Sequence, residues 1–129
     1  MKRVLVVDDS TTVRQQVGNA LREAGFDVTE AIDGVEGAEK IDTDRSIAMV
    51  ICDVNMPRVN GLEMLEQVKR DPRNASLPII MLTTEGQPAL IDRAKKSGAK
   101  AWIIKPFKAD LLVLAVKKLV AASPPQRLP

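Results

Sequence analysis

Short apolar runs alternate with longer segments of helical periodicity along this chain, and most of the runs end in a polar side chain. Val4-Leu5-Val6-Val7 leads into Asp8-Asp9, and Ala48-Met49-Val50-Ile51-Cys52 leads into Asp53. Pro78-Ile79-Ile80-Met81-Leu82 leads into Thr83-Thr84, and Ala101-Trp102-Ile103-Ile104 leads into Lys105-Pro106-Phe107. Apolar runs of four or five residues, bounded by polar residues and separated by helix-like stretches, are the pattern of buried parallel strands. Residues 3–7, 26–30, 48–52, 78–82 and 100–104 read as five strands. Between them, Thr11 to Ala24 carries Val13, Val17, Ala20 and Leu21 at helical spacing, with Ser10 or Thr11 to cap it and Gly25 to stop it. Gly34 opens a second helix from about Val35 to Ile41 or slightly beyond. Asn60-Gly61 leads a third, with Leu62, Leu65 and Val68 on one face and Asp71-Pro72 at its end. A fourth runs from about Gln87 to Ser97, closed by Gly98, and a last from about Lys108 to Ala122. The expected fold is a doubly wound α/β sandwich with right-handed crossovers, one domain over residues 1–122. The Pro-rich tail, 123–129, is expected to be disordered.

Composition removes several chemistries. The 129 residues suit one core, and a net charge of +2 is too near neutral to imply nucleic-acid binding. Histidine and tyrosine are absent, so serine–histidine and cysteine–histidine catalysis and a tyrosine nucleophile are excluded. The single Cys52 lies inside an apolar run and reads as a buried thiol. No apolar run approaches the ~20 residues of a membrane span, and no signal-peptide pattern opens the chain. A soluble, cytoplasmic protein is expected.

In an open parallel sheet, ligands bind beyond the carboxyl ends of the strands. That edge would gather Asp8, Asp9, Asp53, Thr83 and Lys105. Each has an ordinary reading by itself: an aspartate caps a helix or ends a strand, a threonine turns the chain, a lysine sits at a strand end. Together, three clustered carboxylates repel one another unless a cation is bound, and an all-oxygen donor set favours Mg2+. Lys105 can neutralise a carboxylate or hold a phosphoryl oxygen, and Thr83 offers a hydroxyl to an oxyanion. Pro106 suggests a tight turn, with a cis peptide bond as one way to make it.

These motifs resemble the response-regulator receiver domain of two-component signalling, in its stand-alone chemotaxis form. The resemblance rests on Val-Val-Asp-Asp-Ser at 6–10, Asp-Val-Asn-Met-Pro at 53–57 with Asn60-Gly61, Leu-Thr-Thr at 82–84 and Lys-Pro-Phe at 105–107. It covers residues 1 to about 122. It implies a flavodoxin-like strand order 2-1-3-4-5, with helices on both faces of the sheet. Asp53 would accept a phosphoryl group from a sensor histidine kinase. Asp9, Asp53 and the backbone carbonyl of Asn55 would bind Mg2+ directly, and Asp8 through water. Thr83 would hydrogen-bond the phosphoryl group and Lys105 would pair with it. Slow self-dephosphorylation is expected rather than enzymatic turnover on small substrates. Trp102 stands where such domains carry a switch aromatic coupled to the threonine, more usually tyrosine or phenylalanine. Its alternative is a packed core side chain.

The last helix has more apolar residues than one stripe needs. Leu112, Val116, Leu119 and Val120 make the core stripe, and Leu111, Val113, Leu114 and Ala115 are surplus. The surplus is expected to join the fourth helix and fifth strand in a surface for an output protein or a homodimer; scattered surface residues are the plainer reading. Neither nucleic acid nor membrane insertion is expected. A flavin-binding flavodoxin would share the architecture, but Asp8-Asp9 would repel a phosphate in its first loop. A haloacid dehalogenase-type phosphatase would want a carboxylate two residues after Asp53, where Asn55 stands. A receiver module cut from a larger regulator and a phosphorelay intermediate remain alternatives to a chemotaxis or motility output.

Overall fold

A computed structural model describes residues 2–54, 60–84 and 88–122. The elements run β1 (Arg3–Val7), α1 (Thr11–Glu23), β2 (Asp27–Ala31), α2 (Gly34–Thr43), β3 (Ile47–Asp53) and α3 (Gly61–Lys69). A 3-10 turn (Pro72–Asn74), β4 (Ile79–Thr83), α4 (Pro88–Lys96), β5 (Ala101–Ile104) and α5 (Ala109–Ala122) complete them. All strand pairs are parallel, in the order β2-β1-β3-β4-β5. The doubly wound fold expected from the apolar runs is the observed one.

Alternation along the strands divides the core in two. Leu5, Val7, Val50, Cys52, Ile79 and Met81 point to the side covered by α2, α3 and α4, with Ile41, Leu62, Met64, Leu65 and Ala94. Val4, Val6, Met49, Ile51, Ile80 and Leu82 point to the side covered by α1 and α5, with Val17, Leu21, Leu112 and Val116. Ile47 would break the alternation, since it shares the first side with Val50. The pairing explains it: Arg3 faces Ile47 but Val4 faces Met49, so Ala48 is one extra residue on β3.

Element ends move where backbone hydrogen bonds decide them. The second strand starts at Asp27 rather than at residue 26, because Phe26 N–H donates back to Leu21 O while Asp27 N–H donates to Lys2 O. Helix α2 starts at Gly34, where the Asp33 side chain accepts from Glu36 N–H, and runs slightly beyond Ile41, to Thr43. Ser10 caps α1, its hydroxyl accepting from Val13 N–H. Pro72 begins the 3-10 turn rather than only ending α3, with Asp71 as that turn's cap. Gly25 (φ +95°) and Gly98 (φ +107°) follow α1 and α4 in the left-handed region, where a side chain would be strained. The expected start of the fourth helix at Gln87 and the tail 123–129 lie outside the described residues.

Candidate functional site

β1 and β3 are neighbours at the centre of the sheet, so the residues that end them come together. Asp8 follows β1 and is 1% exposed; Asp53 ends β3 and is 5% exposed. Asp9 is exposed to solvent. One carboxylate oxygen from each of the three lies within 4.8 Å of the others. Lys105, just past β5, reaches across so that Nζ is 3.3 Å from both Asp8 Oδ2 and Asp53 Oδ1. Its backbone N–H donates to Thr83 O at 2.6 Å, and the Lys105–Pro106 peptide bond is cis.

Among the described residues one ammonium, that of Lys105, stands beside the three carboxylates, and two of the carboxylates are buried. Burial raises the cost of unbalanced charge, so the cluster gains from a divalent cation. Its donors are all oxygen, which suits Mg2+. Asp8 is held on every side. Its N–H donates to Ala31 O (3.1 Å), Oδ1 accepts from Ser10 N–H (2.9 Å), Oδ2 accepts from Lys105 Nζ, and its carbonyl accepts from Arg14 Nη1 at 2.6 Å.

Asp53 is fixed through its backbone. Gly61, the first residue of α3, packs so closely that a Cβ there would lie 2.2 Å from Asp53 O and 2.9 Å from Val54 Cα. Gly61 N–H donates to Val54 O at 3.0 Å. Asn60 closes the start of α3 in a reciprocal pair with Glu63: the Asn60 side chain accepts from Glu63 N–H, and the Glu63 carboxylate accepts from Asn60 N–H. Asn60-Gly61 reads from sequence as a helix start, but the glycine is needed for this tertiary contact. Nothing in the sequence marks Arg14, since an arginine on an amphipathic helix looks like any solvated one.

Thr83 is the last residue of β4, fully buried, and one place beyond Leu82, which pairs with Asp53. It stands in the strand rather than in a turn. Strand alternation puts Thr83 on the same face as Met81, and Trp102 pairs with Met81. Trp102 is half-buried and packs on the core cluster of the α2, α3 and α4 side. Its Nε1–H is buried and has no hydrogen-bond partner among the described residues. Asn55, expected to offer a carbonyl to the metal, lies outside the described residues. Cys52 is buried and free, and burial, then the charges of Asp53 and Asp8, push its thiol pKa up, so it stays a neutral packing group.

The surplus of the last helix divides. Val113 and Ala115 pack on the α1 and α5 side of the core, whereas Leu111 and Leu114 are exposed. Leu114 does not join α4 and β5 as expected; with Ala20, Ala24 and Val113 it lines a groove between α1 and α5. Helical spacing identifies an apolar excess but not the neighbour it faces.

Comparison with known proteins gives a consistent picture. Residues 4–117 match the family model described as the response regulator receiver domain. The chemotaxis protein CheY1 of Helicobacter pylori is 44% identical over 111 residues, which is 85% of this chain and 90% of that protein. The CheY homolog of Campylobacter jejuni is 40% identical over 85% of each chain. Among solved structures, Vibrio cholerae chemotaxis protein CheY4 superposes with a TM-score of 0.86 at 38% identity, over 92% of this chain and 98% of that one.

Proposed function

The chain belongs to the response-regulator receiver domain family, and on that premise we propose that it is a chemotaxis-type regulator switched by a phosphoryl group on Asp53. The observation that carries this reading is the placement of a buried Asp53 carboxylate 3.3 Å from Lys105 Nζ, inside a cluster of three aspartates. Asp8, Asp9 and Asp53 would hold the magnesium ion. When bound, Mg2+ supplies positive charge beside the oxygens of the group in transfer.

The donor is a phosphohistidine of a partner kinase, because this chain has no histidine. An Asp53 carboxylate oxygen attacks phosphorus, the P–N bond breaks, and the leaving imidazole keeps the electron pair and is protonated. Lys105 exchanges part of its carboxylate pairing for a phosphoryl oxygen, so charge develops beside a cation already in place. The Thr83 hydroxyl donates to a second phosphoryl oxygen. The output is a change of surface read by a partner protein, with the α4, β5 and α5 side as its proposed location, in the cytoplasm. Among the described residues no helix is long and apolar enough to cross a membrane.

The test is the intact mass of wild type and Asp53→Asn after incubation with acetyl phosphate and Mg2+. One phosphoryl group on the wild type alone, and none when a chelator is present during the incubation, is the expected outcome. Equal labelling of both proteins would move the acceptor away from Asp53.

A further inference from the structure

We propose that Arg14 is a positioning residue for the magnesium site, acting through the backbone carbonyl of Asp8; this rests on the reading that the aspartate cluster binds Mg2+. The Arg14 side chain is only 12% exposed, unusual for an arginine on an outer helix. Its guanidinium donates from Nη1 to Asp8 O at 2.6 Å, from Nε to Glu30 Oε1 at 3.2 Å and from Nη2 to Thr11 Oγ1 at 3.3 Å. Glu30 lies on β2, and its own backbone carbonyl accepts from Lys40 Nζ. The next residue, Ala31, accepts the N–H of Asp8. Strand β2 therefore holds Asp8 twice, directly through Ala31 O and indirectly through Glu30 and Arg14.

The carbonyl of Asp8 belongs to the Asp8–Asp9 peptide group, which is planar. Fixing that oxygen fixes the plane from which Asp9 departs. Asp9 is the exposed member of the three carboxylates and the one with the most room to turn away. Groups that orient metal ligands without touching the metal affect affinity by about tenfold or more. A guanidinium fork reaches the carbonyl and Glu30 from two different nitrogens in a fixed geometry, whereas a lysine offers one nitrogen on a flexible stem.

Charge alone predicts the opposite sign. Arg14 is a cation near a cation site, so by Coulomb's law its removal should tighten Mg2+ binding. The experiment is calorimetric titration of Mg2+ into the unphosphorylated protein, for wild type, Arg14→Ala and Arg14→Lys, with metal-free thermal melts to establish folding. Arg14→Ala is expected to bind Mg2+ about tenfold more weakly. Arg14→Lys keeps the charge and is expected to fall between the two, about threefold weaker than wild type. It also keeps the test decisive if Arg14→Ala does not fold. Arg22→Ala removes a different partner of Glu30, at 3.4 Å, and is expected to leave the affinity within about twofold. Wild-type uptake with equal affinity in Arg14→Lys, or tighter binding in Arg14→Ala, overturns the positioning role alone. A wild type that takes up no Mg2+ overturns the magnesium reading and the positioning role with it.

Discussion

At the carboxyl edge of the sheet one lysine bridges two of three clustered carboxylates, whereas beside the 3-10 turn one arginine serves two aspartates. The second cluster is finished by folding itself. Asp71 accepts from the Arg73 backbone N–H (2.9 Å) and from Nε and Nη2, while Arg73 Nη2 also reaches Asp42 at 3.0 Å. The hydrogen bonds from Arg73 pull the Asp71 carboxyl down from the usual 3.8 to about 2. The first cluster has, among the described residues, one cation to three carboxylates, and two of those carboxylates are buried. Clustered aspartates and a basic side chain thus make a structural clasp in one place and a candidate metal site in the other. What differs is the number of cations per carboxylate and the access of water to them.

The largest expected effect comes from breaking the edge through its backbone. Gly61→Ala drives a methyl group into Asp53 O and Val54 Cα, neither of which can swing aside as a side chain would. It is expected to cost about 3 kcal/mol in urea unfolding and to reduce phosphorylation of Asp53. A stability within error of wild type would show that the start of α3 has slack. Next in size is the response to metal. Mg2+ at roughly ten times its dissociation constant should add about 1.4 kcal/mol to the wild type. Asp9→Asn should melt no lower than wild type without metal, since it removes a repulsion, and should lose most of that increment. Asp71→Asn should do the reverse, melting lower while keeping the full response to Mg2+. The smallest effect is in pH. A carboxyl whose folded pKa is depressed adds stability above its unfolded value and loses it as pH falls through the folded one. The gap between wild type and Asp71→Asn should therefore be constant above pH 3.8 and close as pH falls toward about 2. Acid titration of both proteins by circular dichroism measures it, and a gap unchanged at pH 2 would contradict the clasp.

β1, β3 and β4 were legible because a strand buried on both faces is a continuous apolar run, whereas the edge strand β2, Asp27–Ala31, is half-buried and has no such run. The site's aspartates and lysine were legible because they follow apolar runs directly. The limits of legibility are equally physical. Phe26 looks like strand, yet its N–H is taken by the end of α1, so β2 starts one residue later. The extra residue at Ala48 appears only once Ile47 and Val50 are seen on one side of the sheet. Arg14 was invisible because what sets it apart is a carbonyl it touches, and sequence carries no mark of a backbone contact. Leu114 was visible as an excess and misplaced, since helical periodicity ranks residues around one axis without locating the second helix beside it.

The indole of Trp102 has a consequence for how the molecule can be observed. It is the only tryptophan in the chain, so a 15N-labelled sample gives a single indole cross-peak in a region free of backbone signals. That proton is buried and unpartnered among the described residues. Its chemical shift will register the arrival of any hydrogen-bond acceptor, and its exchange with deuterium will register any opening of the β5 side to solvent. A resonance two residues along β5 from Ile104, the strand partner of Thr83, is thus a built-in recorder of whatever the edge of the sheet does when its charge changes.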